Sequence, residues 1–379
     1  MSQDFVRRLP EISGGFTKTR SLGEIIHLDF FLVAIISVII LYGLVVLNSA
    51  IGQQQELFIS QLARIGIAVV VMFLLAQFPP HIYLRLAPWF YAGAILLLVL
   101  IYPFGFEVNG SKRWLRIPGL IGFQPSELMK LALPLMLAWY LNDRHLPPGG
   151  KQIGLCLLMI IIPALLIADQ PDLGTAVIIA SSGFLVLLLA GISWRLVIAA
   201  GGAILAMAPL LWFTIRDYQR QRILTLIDPE RDPLGAGWNI IQSTTAIGSG
   251  GWTGKGLFQG TQSHLNFLPE SATDFIIAVL AEEFGFIGVM ILLLLYALLT
   301  LRGILISLNA QDTFGRLVSG TVTFTFFVYV FVNIGMVSGI LPVVGVPLPL
   351  ISYGGTSMLT LFAGFGLMMS IHTHRRIAL

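Results

Sequence analysis

FLPESATDFIIAVLAEEFGFIGVMILLLLYALLTL, residues 267–301, decides the fold. Its second part stays apolar long enough to cross a membrane, which takes about 20 residues in a helix. Its first part is polar, and Asp274 stands at the border. A charge at the lip of a membrane helix is costly to keep and marks a functional site by default. Ser271 and Asp274 also fit a Ser-x-x-Asp helix start, in which the acid complements the helix dipole. The residues alone leave both readings open.

The rest of the chain repeats the apolar pattern. Of its 379 residues, 56% are hydrophobic and 11% charged, against about 25% charged in soluble domains. An all-α, polytopic membrane helix bundle is expected. Candidate spans are 28–48, 57–78, 82–103, 125–141, 153–168, 173–191, 196–216, 274–301, 316–341 and 352–372, about ten in all. An even number puts both termini on one side. Arg7, Arg8, Lys18, Arg20, Arg85, Arg144, Lys151, Arg195, Arg302, Arg316, Arg375 and Arg376 fall on that side. The opposite loops 49–56, 169–172 and 342–351 hold no Lys or Arg. Both termini are therefore predicted to be cytoplasmic.

Residues 1–27 read as a cytoplasmic N-terminal segment and 28–379 as one transmembrane domain, without internal repeats or low-complexity tracts. Two long extracytoplasmic loops, 104–124 and 217–273, break the charge pattern. The larger lies between helices seven and eight. They carry Lys112, Arg113, Arg116, Arg220, Arg222, Arg231 and Lys255, which long loops tolerate. Loops of this length are usually functional or disordered. Trp114, Trp238, Trp252, Phe258 and Phe267 argue that these are packed or rest at the lipid interface.

Several function classes are excluded. The net charge of +3 is scattered among membrane loops, so no nucleic acid is implied. Cys156 is the only cysteine, which forbids an internal disulfide. The first 20 residues have no apolar core, so no cleavable signal is expected. The histidines are dispersed, without a zinc pattern. GSGGWTGKG (248–256) resembles a phosphate loop, but the Walker spacing fails, and no Rossmann fingerprint appears. A soluble sugar nucleotide is thus an unsuited donor. The glycines read as turns, or as a flexible loop bringing amides and Lys255 to an anion.

Charged residues within spans are the remaining candidates. Glu127 and Lys130 in QPSELMK share one helix face, either as a buried ion pair or with Lys130 turned to a cavity to neutralise phosphate. In ADQPDLGT, Asp169 reads as a solvated turn acid, while Asp172 precedes a helix that can aim it inward. Arg64 lies inside the second span and needs a partner; a structural role is favoured. VGVPLPLISYGGTSML (344–359) breaks the apolar register with prolines and glycines, as backbone lining a cavity can.

QPSELMK, DPLGAGWNIIQS, AIGSGGWTGKG, FLPESATDFIIAVLAEEFG and PLPLISYGGTSML occur in that order. Together they resemble the SEDS (shape, elongation, division and sporulation) family, over essentially the whole chain from residue 28, and its elongation branch rather than the division paralogue. The resemblance implies a peptidoglycan glycosyltransferase of the bacterial cytoplasmic membrane that polymerises lipid II on the outer face, releasing undecaprenyl pyrophosphate. It also implies a class B penicillin-binding protein as activating partner, alongside membrane lipid and other membrane proteins of the elongation machinery. The family's essential acid falls on Asp274. Glu127, Lys130 and Asp172 match positions lining its central cavity, and Lys255, Arg113, Trp114, Gln242 and Ser352 join them as substrate-contact candidates. No cofactor is required by the sequence; a divalent cation, Mg2+ or Mn2+, at the pyrophosphate stays open.

A single carboxylate suits that chemistry, because the pyrophosphate leaves as a stable anion and needs cations rather than a proton. The helix start should lower the pKa of Asp274 and burial should raise it. A lipid II flippase, using Glu127, Lys130, Arg64 and the proline-broken helices, and a scaffold for the penicillin-binding protein are the alternatives.

Overall fold

A computed structural model describes residues 23, 26–52, 54–108, 111–116, 122–214, 217–231, 236–264 and 270–374. Residues 1–22 of the N-terminal segment expected to be cytoplasmic, Phe267, Arg375 and Arg376 lie outside the described residues. Each predicted span coincides with a helix. These are α1 (Phe30–Ile51), α2 (Gln55–Gln77), α3 (Pro80–Phe104), α4 (Pro125–Asn142), α5 (Gly150–Asp169), α6 (Leu173–Leu189) and α7 (Trp194–Thr214). The large loop contributes α8 (Asp217–Ile227), α9 (Ala236–Gly250) and the short α10 (Thr261–His264). α11 (Ile276–Leu308), α12 (Thr313–Val337) and α13 (Thr356–Thr373) complete the bundle.

Among the described residues, α1, α2, α3, α5, α11 and α12 are both long and apolar enough to cross a membrane. This is a multi-pass membrane protein. Large apolar side chains such as Ile59, Ile67, Val70 and Leu74 on α2, or Leu294 and Leu301 on α11, are exposed. A soluble monomer rarely shows such continuous apolar surface. α4 and α13 are shorter and more polar because protein, not lipid, surrounds them. α13 is buried from Phe362 to Ile371, and packs on α2, α12 and α4.

Local chemistry sets the helix starts. Asp29 caps α1 by accepting from the Leu32 amide at 3.1 Å, and Asp312 caps α12 through Gly315 at 2.9 Å. Pro80 and Pro125 sit in the first turns of α3 and α4, where a missing N–H costs nothing.

The two long loops are more ordered than the sequence suggested. Residues 104–124 contain an antiparallel hairpin, β1 (Phe106–Val108) with β2 (Ser111–Trp114). Residues 217–273 contain helices, and α9 packs against α11. Too short and too polar to cross a membrane, these helices have no span signature to betray them.

Gly285 bends α11. Its φ is +65°, and a Cβ there would lie 2.3 Å from the Gly254 nitrogen. The close approach lets GSGGWTGKG dock along the bend. Lys255 and Gly256 amides donate to the carbonyls of Glu282 and Glu283, both at 3.0 Å. Phe286 and Ile287 amides donate back to Gly251 and Trp252 at 2.9 and 3.1 Å. The glycines permit packing, and the Lys255 and Gly256 amides are committed to the helix instead of an anion.

Candidate active site

Asp274 lies in the tight turn that enters α11. It is not the cap of that helix: the N-cap is Phe275, with no side-chain cap bond. Of the two readings of the acid, capping is the one its position removes. The turn is held instead by its carbonyls. Ala272 accepts from the Tyr353 amide at 2.8 Å, Thr273 from the Ser352 hydroxyl, and Asp274 from Asn333 Nδ2 at 2.8 Å. Asn333, fully buried on α12, gives a second hydrogen bond to the carbonyl of Val346 at 2.6 Å. Three successive carbonyls are thereby fastened to α12 and to the broken segment before α13.

Backbone anchoring leaves the carboxylate free. Among the described residues, no donor hydrogen-bonds to the half-buried Asp274 side chain. Burial pushes its pKa up to about 6, and the negative charge of Glu270 adds to the rise. Arg113 and then Arg222 pull it back. The competition expected between helix start and burial is won by burial, because the acid stands before the helix amides rather than on them.

Arg113 lies on β2 and also pairs with Asp172 at 3.1 Å. Asp172 is buried at the start of α6, where it accepts from the Thr175 amide at 3.2 Å and from Gln124 at 3.1 Å. Its inward aim follows from that cap. Arg222, on α8, approaches the carbonyl of Val344 at 3.5 Å. Gly345 follows, with its Cβ position 3.4 Å from Asp274 Oδ2. Asp274 thus shares its surroundings with two arginines and one competing acid.

Lys130 sits in a neighbouring compartment. It pairs with Glu127 at 2.5 Å and lies 4.6 Å from the centre of the Tyr329 ring. Both line a cavity of about 50 Å³ that Ser352 and the Pro347–Leu350 wall also border. Asp274 does not line that cavity. The 344–352 segment divides the two spaces: one part meets Asp274 and Asn333, another faces Lys130. Tyr329 is also within electrostatic reach of Asp172. Charges therefore alternate from Glu127 through Lys130, Asp172 and Arg113 to Asp274.

Other candidates are placed elsewhere. Lys255 is committed to Glu282 at 2.7 Å, a carboxylate with no solvent exposure. Glu282 also accepts from the Thr261 and Gln262 amides at 2.7 and 3.1 Å. This departs from an anion-seeking Lys255, because a buried carboxylate binds the nearest cation. Trp114 pairs with Phe106 across the hairpin. Gln242 is half-buried on α9. Ser352 accepts from the Leu348 amide at 2.8 Å while donating to Thr273, so its hydroxyl is used within the wall. Asp169 is exposed and accepts from Tyr102 at 2.8 Å.

Asn333 and Glu270 were missed by sequence reasoning, and Arg222 was one of several undifferentiated loop arginines. Among the described residues, no group of three or more His, Cys, Asp or Glu could hold a metal. Beside Asp274 the donor set is arginine-rich, which fits an anion and not a resident cation.

QPSELMK borders the Lys130 cavity, while FLPESATDFIIAVLAEEFG and PLPLISYGGTSML meet at Asp274 and the 344–352 wall, and nearly the whole chain matches known proteins. It matches the cell cycle protein family of FtsW, RodA and SpoVE over residues 24–377. The chain belongs to the SEDS family. It is 52% identical over 353 residues to the peptidoglycan glycosyltransferase MrdB of Escherichia coli K12, covering 93% of this chain and 95% of that one. Peptidoglycan glycosyltransferase RodA of Treponema pallidum is 32% identical, covering 84% and 90%. Among solved SEDS structures, Thermus thermophilus RodA superposes with a TM-score of 0.69 at 30% identity, over 91% of this chain and 96% of that one. A chain solved to describe how a peptidoglycan synthase complex coordinates polymerization and crosslinking gives 0.81 at 32% identity, over 92% and 99%.

Proposed function

We propose that Asp274 is the general base of a lipid II polymerase. The chain is a peptidoglycan glycosyltransferase of the SEDS family. The observation that carries the finer reading is a carboxylate with no hydrogen-bond donor among the described residues, anchored through its backbone and flanked by Arg113 and Arg222.

In this reading the 4-hydroxyl of the acceptor GlcNAc attacks C1 of the donor MurNAc. The new C1–O bond forms as the bond from C1 to the pyrophosphate oxygen breaks, and the leaving group keeps the electron pair. Asp274 takes the hydroxyl proton. One displacement inverts the α-linked donor into a β-1,4 glycan. A base with a pKa of about 6 is ionised at neutral pH yet stays near the operating range, where general-base help is worth typically 10²–10⁴-fold. Because a sugar hydroxyl is far less acidic, its proton moves late.

Arg113 and Arg222 supply the cations for the pyrophosphate. Arg113 can exchange its carboxylate partner for phosphate oxygens, as a forked guanidinium suits both. Lys130 and Glu127 hold the neighbouring cavity, whose mixed apolar and charged wall suits part of a lipid-linked sugar. A Mg2+ or Mn2+ ion would ride on the pyrophosphate, since the protein donors beside Asp274 do not fit one. The site faces the outside of the cytoplasmic membrane, and a class B penicillin-binding protein is the partner. Likeness to a chain studied with a peptidoglycan synthase complex supports the latter.

The test incubates the purified protein, with its partner, with labelled lipid II in detergent, where flipping has no meaning. A glycan ladder from the native protein is expected. Its absence rejects the polymerase.

A further inference from the structure

We infer that Arg64 forms a phosphate-binding site for a membrane lipid, in the seam between α2 and the loop entering α13, apart from the Asp274 compartment.

Arg64 is nine residues beyond the first residue of α2, roughly 14 Å along the helix at 1.5 Å per residue. That places it within the apolar stretch of a span whose neighbouring faces, at Leu62 and Ile67, are exposed. Five N–H donors at this depth need acceptors. Among the described residues, no carboxylate pairs with Arg64 and no acceptor takes a hydrogen bond from it; its guanidinium carbon lies 4.5 Å from the centre of the Tyr353 ring. One aromatic face returns less than the desolvation of a guanidinium costs. The group is also not fully buried, so its donors remain open to a ligand arriving from the lipid side.

The surroundings hold the guanidinium in place. Gln61, one turn away on the same face, is buried and clamps the loop: its amide donates to the Ser352 carbonyl and accepts from the Gly354 amide, both at 3.3 Å. Gly355 offers no side chain, and three guanidinium atoms lie 3.9 Å from where its Cβ would be. A Cβ there would only touch the cation; the glycine leaves that side of the guanidinium uncovered. Gly355 is also the N-cap of α13, without a side-chain cap bond, so further amide donors begin beside Arg64. A flat fork of donors, open to lipid and lacking an acceptor, suits a phosphate.

Two lipids carry this chemistry, an anionic phospholipid and a polyprenyl pyrophosphate. The experiment titrates phosphatidylglycerol, a C55 polyprenyl pyrophosphate and phosphatidylcholine into the purified full-length protein in neutral detergent. Binding is read as the shift in thermal midpoint. At least one of the two anionic lipids is expected to bind more tightly than phosphatidylcholine, and whichever does identifies the source. Arg64→Gln is expected to weaken that lipid about tenfold or more, as loss of charge-assisted hydrogen bonds does. Arg64→Lys keeps the charge and loses the fork; it serves if Arg64→Gln does not fold, and weakens the same lipid severalfold. Unchanged affinity in the variants, or no preference for either anionic lipid, overturns the inference. Because no turnover is read, the outcome is independent of whether Asp274 catalyses polymerisation.

Discussion

Asn333 Nδ2 donates to the carbonyl of Asp274 at 2.8 Å and, from the same nitrogen, to that of Val346 at 2.6 Å. One buried amide thus ties the proposed base to the segment that walls the Lys130 cavity. Asn333→Leu keeps the volume and removes both bonds. Misplacement by about 1 Å can cost 10²-fold in rate, so polymerisation should fall roughly 10–100-fold. The apparent KM for lipid II should change little, because the arginines do not depend on Asn333. Steady-state kinetics check the split; a change confined to KM contradicts it.

The pH dependence follows from a base that must be ionised. With Asp274 raised to about 6, activity should be present above that pH and lost as pH falls through it. Glu270 raises the pKa and Arg113 and Arg222 lower it. The acid limb should therefore move to lower pH in Glu270→Gln and to higher pH in Arg222→Gln. Limb positions in pH–rate profiles test this independently of amplitude. Movement in the opposite directions would refute the electrostatic account.

Lys255 and Glu282 separate a structural ion pair from a substrate contact. Lys255→Met leaves a fully buried carboxylate without its cation. Breaking such a pair costs typically 3–5 kcal/mol, although the Thr261 and Gln262 amides soften the loss here. Denaturation midpoints should drop, and adding Glu282→Gln should restore part of the loss. A raised KM with unchanged stability would instead make Lys255 a pyrophosphate ligand.

Gly285 tests the docking of the glycine loop. With φ at +65° and backbone atoms of residues 252 and 254 within 2.7 Å of a Cβ position, Gly285→Ala cannot be accommodated without moving the loop. Expression and thermal stability of the folded protein should fall. Native-like stability would mean that the loop does not dock on the bend.

Apolar length made the spans legible: each candidate has its helix, from Phe30–Ile51 to Thr356–Thr373. The Glu127–Lys130 pair followed from helical spacing, since three residues place side chains on one face. What stayed hidden depends on tertiary approach. Asn333 reads as one more polar residue in a membrane helix until two distant carbonyls meet it. Arg222 could not be ranked above Arg220 or Arg231 without knowing that Val344 and Asp274 lie nearby. The AEEFG acids stood in the quoted motif, and their cost in an apolar helix was a signal for a buried network. The pairing of Lys255 with Glu282 was hidden because the two are 27 residues apart in sequence.

The most direct test replaces the carboxylate by its near-isostere. Asp274→Asn, purified with the penicillin-binding protein and given labelled lipid II in detergent, keeps the shape and the backbone bond to Asn333 but cannot accept the proton as a carboxylate does. The account predicts a glycan ladder from the native protein and essentially none from a folded Asp274→Asn variant. An undiminished ladder from that variant would contradict it.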